Sequence, residues 1–87
     1  MKFYFTYGTS EQYPFQGGWT VVKANDLKSA IQLFRIFNPD INDGILNCAD
    51  YYTREQFIET DMFKNKDNLG FGCNECIDIS RSVFRNN

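Results

Sequence analysis

Apolar and polar positions alternate or cycle along three stretches of this chain, and each period predicts an element. Phe3, Phe5 and Tyr7 alternate with Lys2, Tyr4 and Thr6, the period of two expected of a strand with one buried face. Trp19, Val21 and Lys23 alternate in the same way with Thr20, Val22 and Ala24, which predicts a second strand over 19–24. Residues 8–18 between them form an aromatic-bearing loop with glycines at both edges, so the two strands are expected to pair as an antiparallel hairpin. From Leu27 the period changes. Leu27, Ala30, Ile31, Phe34 and Phe37 recur at i, i+3, i+4, i+7 and i+10 and so share one face of a helix. Asn25 and Asp26 suit its N-cap, and Asn38-Pro39 stops it because the residue before a proline is pushed out of the helical region.

The second half is less regular. Asp40 to Gly44 is turn-rich, and Ile45 to Tyr52 predicts a third strand interrupted by Asn47 and Asp50. Thr53-Arg54-Glu55-Gln56 has the capping-box spacing, which predicts a shorter helix carrying Phe57, Ile58 and Met62 inward. Leu69 to Ile79 reads as a last extended segment broken by Gly70 and Gly72, and 81–87 as a frayed tail. The order β-β-α-β-α-β predicts an α+β fold, a small, mainly antiparallel sheet with two helices on one face. With 87 residues and no linker, repeat or low-complexity tract, residues 1–87 are expected to form a single domain.

Composition adds one pressure to this picture. Nine Phe, five Tyr and one Trp each bring about 150–250 Å² of burial, more than an interior of this size takes up. Some rings are therefore expected to meet a ligand or partner. A net charge of −2 supplies neither the basic excess of a nucleic-acid binder nor the charge density of a nucleic-acid mimic, so no direct nucleic-acid binding is expected. The chain opens without an apolar leader core, and no stretch approaches the roughly 20 apolar residues of a membrane span; a cytoplasmic setting with reduced thiols follows as the expectation. Histidine is absent, which excludes His-based triads and His-ligated metals. The serines have no base beside them, and the pair Asp50 and Glu55 has no spacing that singles it out. The chain is expected not to be an enzyme and to need no cofactor.

The binding candidates gather at one end of the hairpin. Gly17 and Gly18 permit positive φ, so their N–H groups can form an anion-binding nest, and Trp19 beside them offers a stacking face. Tyr7 and Thr9 lie on the other arm, Tyr13 and Phe15 in the loop, and Arg35 on the helix can clamp a phosphate or carboxylate. The plainer alternative is a hairpin bend with Trp19 in the core and a solvated Arg35. Cys73-Asn74-Glu75-Cys76 is a C-x-x-C motif that with Cys48 makes most of a metal site, but a redox pair should open a helix and the β-branched Ile77 and Ile79 follow. Ordinary buried thiols are the default for all three.

Tyr7-Gly8-Thr9, Pro14-Phe15-Gln16-Gly17-Gly18-Trp19, Phe34-Arg35, Asn38-Pro39-Asp40, Gly44-Ile45-Leu46-Asn47-Cys48 and Leu69-Gly70-Phe71-Gly72-Cys73 with Glu75 together resemble a family of short proteins encoded by bacteriophages and prophages of gut-type bacteria. The resemblance runs over nearly the whole chain and implies a mobile-element setting in a bacterial host cell, without an activity. That family often has His after its glycine-cysteine turn where this chain has Asn74, which argues against a His-dependent role. Small phage proteins often act against host defence. The expected function is thus a non-enzymatic protein that binds a host effector, as an anti-CRISPR inhibitor does. The alternatives are a sponge that sequesters a nucleotide signal, across a homodimer interface in a chain this small, and a Cys-based metal or redox module.

Overall fold

Both faces of the first strand are buried, and this arrangement follows from its place inside the sheet. The computed structural model describes residues 1–8, 10–60 and 73–78. They form β1 (Lys2–Thr6), β2 (Trp19–Lys23), α1 (Leu27–Phe37), β3 (Asp50–Thr53), α2 (Arg54–Phe57) and β4 (Cys73–Asp78). The α+β class and the order β-β-α-β-α-β are those the periodicity predicts. The sheet runs β3-β1-β2-β4. The hairpin is antiparallel, with Phe3 opposite Val22 and Phe5 opposite Thr20, and β3 adds antiparallel on the other side of β1, Phe5 opposite Tyr51. β4 joins parallel to β2, so the sheet is mainly but not wholly antiparallel.

Two separate cores flank this sheet. Phe3, Phe5, Val22 and Ile77 point to one face and pack with Tyr7 under Ala30, Leu33 and Phe34 of α1, where the rings of Phe5 and Phe34 stack at 4.4 Å. Tyr4 and Val21 point to the other face and pack against Phe57 of α2, the Tyr4 and Phe57 rings lying parallel at 4.2 Å. The expectation of both helices on one face therefore gives way to one helix on each. The reason lies in Tyr4, whose amphipathic ring sits at a position that alternation alone assigns to solvent; β1 has neighbours on both edges, and its second face needs a cover.

Local signals hold α1 and α2 in place. The Asp26 carboxylate accepts from the N–H of Ser29 at 2.8 Å, and these bonds lower its pKa. The Asn38 N–H closes the other end on Phe34 O at 2.8 Å. Thr53 and Gln56 form the reciprocal capping box. Phe57 is buried and Ile58 half-buried, while Met62 lies outside the described residues, as does the expected tail. β3 is shorter than the expected 45–52 strand. Ile45 instead closes a turn, its N–H donating to Asn42 O at 2.9 Å, and Asn47 Nδ2 ties the strap to Pro39 O at 3.2 Å.

Candidate functional site

At the end of the hairpin the structure places a chain of polar groups joining three strands and the C-cap of α1. The hydroxyls of Tyr7 and Thr20 are hydrogen-bonded. Thr20 Oγ1 donates to Glu75 Oε1 at 3.1 Å, which uses its single proton, so the Tyr7 phenol is the donor to Thr20. Asn38 Nδ2 donates to the same Glu75 oxygen at 3.0 Å. The carboxylate thus accepts from two sides. Tyr7 is fully buried, and removal from water pushes its phenol pKa up, only partly offset by the bond to Thr20.

The glycines serve this architecture. Gly17 and Gly18 both have positive φ, 78° and 69°, and both are buried. The Gly17 N–H bonds the Gly8 carbonyl, and the Gly17 carbonyl accepts from Asn74 Nδ2 at 2.8 Å. Asn74 can reach it because β4 bulges there: Trp19 pairs with Cys73 but Thr20 with Glu75. The Gly17 N–H therefore closes the loop, with its donor turned inward.

The other candidates divide between two sides of the molecule. Tyr13 and Phe15 are half-buried against the α1-side core, the Phe15 ring 5.3 Å from Tyr7. Trp19 is half-buried on the opposite face, edge-on to Phe57 at 4.9 Å, so the structure separates it from Tyr7. Arg35 Nε donates to Asp40 Oδ1 at 3.1 Å and its Nη2 to Gly44 O at 3.3 Å, which ties the 40–44 turn to α1. Thr9 lies outside the described residues.

The three thiols are dispersed. Cys48 is buried, and burial, with the Asp50 carboxylate adding to it, pushes its pKa up to about 11. Cys73 and Cys76 are exposed on β4, a strand and not the helix opening a redox pair uses, so the expectation of buried thiols holds for Cys48 alone. Among the described residues no three Cys, Asp or Glu side chains are grouped to hold a metal ion.

A second surface lies where the strap 41–49 runs into β3. Ile45 and Tyr51 there are 62% and 40% exposed and line the same groove. Two open grooves meet at Asp50 and Tyr51. One, of about 480 Å³, runs between α1 and the strap and is lined by Ile31, Arg35, Ile45 and Leu46. The other, of about 600 Å³, follows β3 and α2 past Tyr52, Glu55, Gln56 and Glu59. Tyr52 donates to Asp50 Oδ2 at 3.2 Å, and burial followed by the charge of Asp50 raises its pKa.

Periodicity singles out neither surface fully. It passes over Thr20, Asn38 and Glu75, although Glu75 shares its strand parity with the core residue Ile77. It passes over Tyr51 and Tyr52 because adjacent strand residues point to opposite faces, so at an edge one ring of such a pair is readily left uncovered. Comparison with protein-family models, curated proteins and solved structures yields no match. Among the described residues no helix is long and apolar enough to cross a membrane.

Proposed function

We propose that this protein is a non-catalytic, phage-encoded binding protein that counters host defence by docking on an effector protein, in the manner of an anti-CRISPR inhibitor. The observation that carries the docking part is the exposure of Ile45 and Tyr51, two large apolar side chains that line the grooves meeting at Asp50 and Tyr51. Aromatic side chains and arginine are the types that anchor protein interfaces, and a standard interface takes about 800 Å² from each partner. The anti-defence part rests on the resemblance to small phage proteins. A nucleotide sponge would have to recruit groups already engaged within the chain, the Gly17 N–H by Gly8 and the Arg35 guanidinium by Asp40 and Gly44.

The test is affinity capture from host lysate with the wild-type chain and a Tyr51→Ala variant, alongside mass spectrometry for co-purifying nucleotides. A hot-spot ring costs about 2 kcal/mol or more on truncation, so a captured effector should bind the variant about 30-fold more weakly. Retention of a nucleotide and no protein, or equal capture by both chains, would overturn the proposal.

A further inference from the structure

Dispersed as the three thiols are, two of them share a face of the sheet. On a regular strand, residues three apart point to opposite faces. β4 departs from that rule at its bulge, where Cys73 pairs with Trp19, Glu75 with Thr20 and Cys76 with Val21. Paired residues project to the same side, so both cysteines lie on the side of Trp19 and Val21. Glu75 and Ile77 turn to the α1 side with Thr20 and Val22. From this register we infer that Cys73 and Cys76 form a dithiol site on the folded sheet, one that closes to a reversible disulfide by exchange with a small-molecule disulfide.

The bulge changes the reach as well as the direction. Three residues of regular strand span about 10 Å, whereas the partners Trp19 and Val21 are two residues apart, or about 7 Å. A disulfide joins Cα atoms separated by up to about 7 Å, so the bulge brings the pair from out of reach to the edge of it. Cys73 Sγ donates to Glu75 O at 3.3 Å, and that carbonyl carbon is bonded to the Cys76 nitrogen. The first thiol thus already leans along the strand toward the second. β4 ends the strand order, with β2 as its neighbour among the described residues, which leaves the bulge room to draw in.

The chemistry balances with one oxidant, a small disulfide such as oxidised glutathione. Both thiols are exposed, so such a molecule can reach either. One cysteine thiolate attacks a sulfur of the oxidant, its S–S bond breaks, and one glutathione leaves as thiolate. The second cysteine then attacks the protein sulfur of the mixed disulfide and expels the other glutathione. Two electrons pass from the two cysteines to the oxidant, and the two thiol protons end on the two glutathiones. Holding the second thiol beside the first makes this last step intramolecular, which favours it over a second attack from solution. Cys48 takes no part, because it is buried in the α1-side core.

The test is equilibration of the folded chain in mixtures of reduced and oxidised glutathione, then acid quenching and mass spectrometry of the intact and digested protein. The wild-type chain should become lighter by two hydrogens, with Cys73 linked to Cys76 and no glutathione retained. Cys73→Ser and Cys76→Ser, each at an exposed position, should instead retain one glutathione. A C-x-x-C segment can close in any flexible chain, so the same equilibration in unfolding urea isolates the part played by the bulge. The disulfide should form with an equilibrium constant about tenfold larger in the fold than in urea. By the thermodynamic cycle, the oxidised chain should then unfold at higher urea than the reduced one by the same factor in its folding constant. Two glutathiones retained, no reaction, a bond to Cys48, or closure at least as favourable in urea as in the fold would each overturn the inference.

Discussion

The two faces of the sheet are covered very differently. On one, an eleven-residue helix lays Ala30, Leu33 and Phe34 over Phe3, Phe5, Val22 and Ile77. On the other, a four-residue helix brings one ring, Phe57, onto Tyr4 and Val21, with Trp19 and Tyr52 only half-buried around it. Among the described residues the thick face holds most of the buried apolar side chains and so should contribute more to stability. Among the described residues the helical side chain that keys the thin face is Phe57, and the edge of β3 beside it is where the proposed docking groove opens.

That contrast can be broken from either side, beginning with the largest effect. Phe34→Ala should cost about 4 kcal/mol, a large part of the whole stability of a small domain, and should abolish cooperative unfolding under mild denaturant. Phe57→Ala should cost about 3 kcal/mol, because its half-buried neighbours can partly collapse into the gap. Trp19, the single tryptophan, packs on Phe57, so its emission should shift to the red in the Phe57 variant before the global transition. If the two variants lose equal stability, the faces are not thick and thin in energy.

Next in size is the polar chain at the hairpin end, on the thick face. Thr20→Val keeps the shape but leaves the buried Tyr7 phenol and one side of Glu75 without their partner. The expected loss is about 2 kcal/mol by urea denaturation, with Thr20→Ser restoring most of it. A neutral result would mean that apolar packing alone joins β4 to the hairpin.

The smallest effect sharpens the comparison through pH. The folded pKa values of Tyr7 and Cys48 are both raised above their ordinary values of 10.0 and 9.0. Above its ordinary value each group has lost its proton in the unfolded chain while keeping it in the fold, so the unfolded state binds fewer protons and stability falls as pH rises. This alkaline loss is absent below about pH 9. The Cys48 contribution should be lost between 9.0 and about 11, and that of Tyr7 from 10.0 upward. Cys48→Ala should flatten the decline in the first window, measured as melting temperature against pH. Tyr52, beside the thin face, shifts in the same direction, but its exposure to water makes its contribution small. A decline unchanged in the Cys48 variant would assign the alkaline loss elsewhere.

Much of the fold is legible in the order of residues. The period-two run from Phe3, the helical spacing from Leu27 to Phe37, the Asn38-Pro39 stop and the Thr53–Gln56 box each act within a few residues, and each forms the element it predicts. The third strand starts later than its pattern suggests because Ile45 and Leu46 look strand-like in isolation, yet Ile45 pairs back onto Asn42 in a turn and Leu46 packs against the α1-side core. The hairpin-end candidates come together in part. Tyr7 and Phe15 do meet, but the Gly17 N–H is spent on the Gly8 carbonyl, and Trp19 lies on the other face because strand alternation turns it away from Thr20.

By itself the sequence determined the elements, their order and their caps, since helix and strand periods and capping hydrogen bonds are local. The tertiary structure alone decided that β1 is central and covered on both sides, that β4 runs parallel to β2, and that Glu75 gathers Thr20 and Asn38 across 55 and 37 positions. It also decided which rings stay outside. Those outcomes depend on which distant surfaces compete for the same burial, and no window along a single chain records that competition.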